Sequence, residues 1–183
     1  GQPADMSAIT QIARKKKLRV VEDSAETMLA THEGRSVGSL GDIGCFSTYV
    51  AHLLTTGVGG INTTQDPELA VILRSLINHG RDSIYLSIDD DDKAGKKKMN
   101  LIVKKRFSFV RLGQSARLTE MECAIGLAQL EDDLRKNISA RQKNAAILTR
   151  LLKPLEDRLE LPKTKPGNTH SFMMYPLVLK NGP

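Results

Sequence analysis

The chain has no tryptophan and only three tyrosines and four phenylalanines, so aromatics make up 4% of its 183 residues. That scarcity argues against a base-stacking platform for single-stranded nucleic acid, which interleaves aromatic rings with basic side chains. Its two cysteines, Cys45 and Cys123, are too few for a disulfide framework, and no cysteine and histidine cluster has metal-ligand spacing. A reducing, cytoplasmic setting is therefore expected. No stretch approaches the ~18 successive apolar residues of a membrane-spanning helix, and residues 1–6 lack the charged and apolar regions of a secretory signal. Lysine is also scarce in one long stretch: from residue 18 to residue 94 the only one is Lys93. What remains is a globular mixture, 40% hydrophobic and 26% charged, of a length that suits one domain. The 27 lysines and arginines exceed the 21 acidic residues and give a net charge of +6. Much of the excess sits in residues 14–17 and 93–106, which read as solvated helix ends and loops, so neither nucleic acid nor membrane is expected as a partner.

Apolar residues at Met6, Ile9, Ile12 and Ala13 predict a helix over residues 4–17. Residues 18–21 predict a short strand ending in Glu22-Asp23, which puts Asp23 at a carboxyl edge, where open α/β sheets bind their ligands. Glycines 34, 38, 41 and 44 punctuate a loop, residues 43–49 read as a second strand, and residues 60–64 as a third after the glycine-rich stretch 57–60. Asp66 and Pro67 are an N-cap and first helical residue for a helix to about residue 78, stopped by His79-Gly80. Residues 81–112, with acidic residues 89–92 and basic residues 93–98, read as a long exposed loop that admits a hairpin. Helices are predicted over 119–132 and 133–152, the latter before Pro154, and a late strand over 171–180. Strands alternating with helices, without internal repeats, indicate an α/β fold.

Taken singly, the candidate site residues are ambiguous. A carboxylate such as Asp23 at a strand edge more often caps the next turn. Ser47 and Thr48 are ordinary strand residues. His52 lies between two predicted strands and is followed by Thr55, Thr56 and glycines 57, 59 and 60. Backbone amides in such a stretch can approach an anion, but the same glycines suit a tight hairpin and a lone histidine is more often structural.

Together these segments resemble one family. The match rests on residues 1–6 (Gly-Gln-Pro-Ala-Asp-Met), 21–26 (Val-Glu-Asp-Ser-Ala-Glu), the glycine-punctuated stretch 34–47, residues 54–60 (Leu-Thr-Thr-Gly-Val-Gly-Gly), 74–80 (Arg-Ser-Leu-Ile-Asn-His-Gly) and 117–130. In order and spacing they resemble the DegT/DnrJ/StrS-type sugar aminotransferases, pyridoxal phosphate (PLP) enzymes of fold-type I, over nearly the whole chain except about residues 85–106. The resemblance implies part of a fold-type I large domain, helices packed on a mainly parallel sheet, over residues 1–132. It implies a linking helix and the start of a small α+β domain over 133–183. Family members are about twice as long, so the chain resembles an internal fragment and is expected to bind cofactor weakly alone. The resemblance further implies a homodimer with sites shared between subunits, and a nucleotide-sugar substrate.

By the same resemblance Asp23 matches the aspartate that keeps the cofactor's pyridine nitrogen protonated, Glu26 the position beside the ring, and Ser47 the hydroxyl that binds the cofactor phosphate. Ser115 falls where relatives carry an asparagine reaching the phosphate of the neighbouring subunit's cofactor. Arg117, in the same segment, suits a substrate-phosphate contact or a helix-packing salt bridge equally. No metal ligand is implied.

The chain departs from the family at His52, which stands where the aminotransferases carry their Schiff-base lysine, and no nearby lysine can take its place. The same replacement marks the nucleotide-sugar 3-dehydratases, which use pyridoxamine phosphate (PMP). In them the cofactor amine condenses with a 4-keto sugar, a base removes a proton, and the 3-hydroxyl leaves as water. An imidazole can take that proton and return it to the leaving hydroxide. Val58 is a second departure, standing where relatives of the family commonly carry glutamate, and residues 49–53 differ from the Tyr-Pro-x-His-His segment of the dehydratases. The expectation is thus a PMP- or PLP-dependent 3-dehydratase with His52 as base. The alternatives are a nucleotide-sugar aminotransferase, or a non-catalytic sensor or scaffold that keeps the fold. His32, His79 and His170 are expected to be structural.

Overall fold

The computed structural model describes residues 1–81, 95–132 and 134–180. They form two compact units: residues 1–64 with the segment from Leu118 onward, and Gln65–Arg117.

In the first unit, α1 spans Met6–Lys16. Asp5 caps it by accepting from the Ala8 amide at 3.0 Å, and Lys17 ends it in the left-handed region at φ 54°. Arg14, Lys15 and Lys16 fill the last turn, where positive charge suits the helix dipole. Strand β1 is Val21–Asp23, later than the expected 18–21. The chain first turns after Lys17, and the Val20 amide is tied to the Asp42 carboxylate at 2.7 Å.

A hairpin follows, β2 (Thr31–His32) and β3 (Arg35–Ser36), where only a loop was expected. Its turn residues Glu33 and Gly34 both have positive φ, 50° and 76°, as a two-residue hairpin turn requires. Strands β4 (Ile43–Ser47) and β5 (Gly60–Thr63) complete a three-stranded sheet in the order β1-β4-β5. The β1–β4 pairing is parallel and the β4–β5 pairing antiparallel.

Alternation gives this sheet two unlike faces. One carries Glu22, Gly44, Phe46 and Thr63 and lies under the loop before β4. The buried Glu22 carboxylate accepts from the amides of Gly38, Leu40 and Gly41 at 2.8, 2.6 and 2.6 Å, and Thr63 Oγ1 donates to the Gly38 carbonyl. Gly38 and Gly44 lie so close that a Cβ on Gly44 would overlap the Gly38 backbone. The other face carries Val21, Asp23, Cys45, Ser47 and Asn62.

In chain order the next helices are α2 (Pro67–Leu76), α3 (Lys96–Arg106), α4 (Glu120–Asp132) and α5 (Leu134–Leu152). A capping box starts α4: the Thr119 amide donates to Glu122 Oε2, and the Glu122 amide to Thr119 Oγ1. Leu134 and Ile138, one turn apart on α5, pack with Met28, Leu53 and Leu54 as the core of this unit. Strands β6 (Leu159–Glu160) and β7 (Val178–Leu179) pair antiparallel, so the strand expected over 171–180 is cut to two residues. Phe172 in the left-handed region, φ 47°, and Pro176 prevent a longer one.

In the second unit, Asp66 caps α2 through the Glu68 and Leu69 amides, with Pro67 at the first helical position, as the sequence indicates. The fully buried Ser75 hydroxyl donates to the Arg81 carbonyl at 2.5 Å and fixes the turn through His79 and Gly80. The loop expected over 81–112 is corrected in part: α3 occupies Lys96–Arg106, because lysine, leucine and methionine are good helix formers even where charge dominates. The acidic run 89–92 lies outside the described residues. Among the described residues no helix is long and apolar enough to cross a membrane.

Candidate functional site

Asp23 ends β1 opposite Cys45 in parallel register, and Ser47 lies two residues further along β4 on the same face. The exposed Asp23 carboxylate accepts one weak hydrogen bond, from the Ala25 amide at 3.3 Å, and has no other hydrogen-bond partner among the described residues. It also edges a cavity of about 300 Å³ whose walls include Ala4, Ile9, Val21 and Thr27. Burial pushes the Cys45 thiol above its usual value, and the Asp23 charge raises it further, as expected for neighbours on one sheet face. Ser47 Oγ accepts from the Tyr49 amide at 3.2 Å, which leaves its proton available for an acceptor.

His52 lies in the turns after β4, half-buried, with Tyr49 edge-on to its ring. Its Nδ1 is 2.9 Å from the Ala25 carbonyl. A carbonyl only accepts, so Nδ1 carries the proton and Nε2 of the neutral ring holds the lone pair. The residue whose amide meets Asp23 therefore also orients His52.

The stretch around His52 is held firmly. Leu53 and Leu54 are buried in the core; the buried Thr48 and Thr56 hydroxyls bond each other at 2.7 Å, and the Thr56 amide donates to the Thr48 carbonyl at 2.8 Å. Thr55 is gripped by Gln129 of α4. Neither this grip nor the three amides on Glu22 was predicted. The adjacency of Glu22 and Asp23, one residue apart and hence on opposite faces, was the available signal for the latter.

Glu26 is exposed, and its carbonyl accepts from Ser171 Oγ at 3.3 Å. Ser115 belongs to the second unit, where it bridges Asn78. Arg117 is exposed in that unit. His32 is structural: Nε2 accepts from the Ser7 amide at the start of α1 and Nδ1 lies 2.7 Å from Asn168 Oδ1. His170 stacks on Phe172, and burial holds it below the usual histidine value. No group of three or more potential metal ligands occurs among the described residues.

These groups fit a pyridine-ring cofactor with a phosphate tail: an exposed carboxylate for a protonated ring nitrogen, a hydroxyl for the phosphate, and an imidazole with one open nitrogen.

The model of the DegT/DnrJ/EryC1/StrS aminotransferase family matches residues 1–182. The chain is 34% identical over 182 residues to GDP-perosamine synthase of Caulobacter vibrioides, covering 100% of this chain and 43% of that protein. To the GDP-4-keto-6-deoxy-D-mannose 3-dehydratase of Yersinia pseudotuberculosis it is 35% identical over 151 residues, 82% of this chain and 37% of that one. The crystallised E. coli GDP-4-keto-6-deoxy-D-mannose-3-dehydratase with bound hydrated PLP superposes with a TM-score of 0.80 at 27% identity, covering 99% of this chain and 45% of that one. The chain thus spans less than half the length of these relatives, and its fold is part of that of the fold-type I enzymes.

Proposed function

Because the chain belongs to the DegT/DnrJ/EryC1/StrS aminotransferase family, we propose that it forms the cofactor-binding part of an enzyme acting on a nucleotide-linked keto-sugar, a lysine-free 3-dehydratase with His52 as base. The observation that carries this reading is the hydrogen bond from His52 Nδ1 to the Ala25 carbonyl, which leaves Nε2 free to take a proton. Similarity to a 3-dehydratase and to GDP-perosamine synthase supports a nucleotide-linked sugar as the substrate class.

Pyridoxamine or pyridoxal phosphate, when bound, supplies an electron sink. Asp23 would hold its ring nitrogen protonated, Ser47 would donate to its phosphate, and Glu26 would lie beside the ring. His52 Nε2 accepts a proton and delivers it to the departing 3-hydroxyl, while the Nδ1 hydrogen bond keeps the ring from turning over between the two transfers. The same reading assigns residues 1–132 to the large domain and 133–183 to a linking helix and the start of the small one. It also makes the protein a homodimer in which Ser115 reaches the neighbouring subunit's cofactor phosphate.

The test is incubation with PLP or PMP, borohydride reduction and intact-mass analysis, followed by assay with PMP and a nucleotide-linked 4-keto sugar. PMP retained without a covalent adduct, and loss of water from the sugar that disappears in His52→Ala, is the expected result. A pyridoxyl adduct on one lysine overturns it in favour of an aminotransferase. Binding without turnover in both proteins points to a sensor or scaffold.

A further inference from the structure

The turns that carry His52 return to β5 along one edge of α4. Leu118, just before the helix, fills the space that a side chain on Gly59 would need, and a Cβ on Gly126 would come within 3.1 Å of Thr56 Cγ2. One helical turn later Gln129 makes three hydrogen bonds to a single residue of that stretch. Its Oε1 accepts from the Thr55 amide at 3.1 Å and from Thr55 Oγ1 at 3.3 Å, and its Nε2 donates to the Thr55 carbonyl at 2.5 Å. A fourth, from Nε2 to the Ile125 carbonyl at 3.1 Å, anchors the amide on its own helix.

Residues three apart share a helix face, so Gly126 lets the helix come close and Gln129 locks what it meets. We infer that Gln129 is a positioning residue for His52: by fixing both backbone groups of Thr55 it holds the turn that keeps His52 Nδ1 on the Ala25 carbonyl and Nε2 available. That His52 is the base rests on the function proposed above; the mechanical link from Gln129 to His52 does not.

The side-chain amide suits this task better than its close relatives. Glutamate in its place would still accept from the Thr55 amide and hydroxyl but would set a carboxylate against the Thr55 carbonyl. Alanine would leave both Thr55 backbone groups to water while the buried Leu53 and Leu54 go on anchoring the segment. The fold should therefore survive the substitution and the imidazole lose its fixed tautomer.

The test is ¹⁵N NMR of the histidine side chains in the 183-residue chain, comparing Gln129→Ala, Gln129→Glu and Gln142→Ala with the parent. Gln142, which donates to the His170 carbonyl, controls for removal of an amide elsewhere. The parent and Gln142→Ala should show His52 as the Nδ1–H tautomer. Gln129→Ala should shift it about threefold to tenfold toward Nε2–H, the ratio that one net hydrogen bond is worth, with Gln129→Glu between. An unchanged His52 tautomer in a folded Gln129→Ala protein overturns the inference, as does an equal shift in Gln142→Ala. If Gln129→Ala does not fold, Gln129→Glu decides by the same signal. Failure of the base assignment would appear separately, as turnover that survives His52→Ala while the tautomer shift remains.

Discussion

The two faces of the β1-β4-β5 sheet are made from alternate residues of the same strands and could hardly differ more. On the face under the loop before β4, the Glu22 carboxylate has three backbone amides and no exposed edge. On the other, the adjacent Asp23 carboxylate has one long hydrogen bond and stands open. Two carboxylates one residue apart thus do opposite work: one is consumed by structure, the other left to meet something else. A buried charge is tolerated only when hydrogen bonds replace its water, so the closed face bears on stability and the open face on chemistry.

Breaking the closed face should have the largest effect. Glu22→Ala leaves the buried Gly38 amide and the half-buried Leu40 and Gly41 amides without their acceptor, and should cost about 2–4 kcal/mol in urea unfolding, from the penalty of unpaired donors. A protein as stable as the parent would refute the closed-face account. Gly44→Ala, which drives a methyl group into the Gly38 backbone, should cost about 1–3 kcal/mol by overpacking.

A smaller and pH-dependent effect belongs to the sheet edge, where Asp42 holds the Val20 amide and the Arg19 guanidinium. The Val20 amide first, and then Arg19, lower the Asp42 pKa from 3.8. Its contribution is therefore present above the unfolded carboxylate value and is lost as pH falls through the lower folded value. Unfolding midpoints measured across the acid range should decline with a shallower slope in Asp42→Asn than in the parent.

The open face sharpens the comparison by its insensitivity. Asp23→Asn should change stability by no more than about 0.5 kcal/mol, as for an exposed residue. Binding of PLP or PMP, read by equilibrium absorbance titration, should nevertheless be lost. The same variant should let the Cys45 thiol titrate at lower pH in an alkylation series, because one of the two causes raising it is gone.

Much of the framework was legible because its signals are local. Asp66-Pro67 and Asp5 announce helix starts through chemistry confined to a few residues, and both caps are present. In residues 96–106 the charge of the lysines hides their helix propensity, and the hairpin at Glu33-Gly34 has strands of two residues, too short to leave a periodicity. Within the site, the position of Asp23 at a strand end could be anticipated, although the strand itself begins later than expected. The His52 bond to Ala25 and the Gln129 grip on Thr55 could not be. They join residues 27 and 74 positions apart, and no pattern along the chain encodes such a meeting.

The hydrogen bonds that tie β2 and the approach to α1 to the late segment span still greater distances. Thr31 meets Thr169 across 138 positions, Pro3 meets Asn168 across 165, and Gly1 meets Ser171 across 170. During synthesis on the ribosome, Asp23, Ser47 and His52 emerge long before the residues that complete their unit. Contacts so remote in sequence also pay their loop-closure entropy before they return anything, which slows folding. The strands bearing these residues therefore spend that interval as an unfinished sheet, whose unpaired edges and exposed apolar side chains are open to mispairing with other chains.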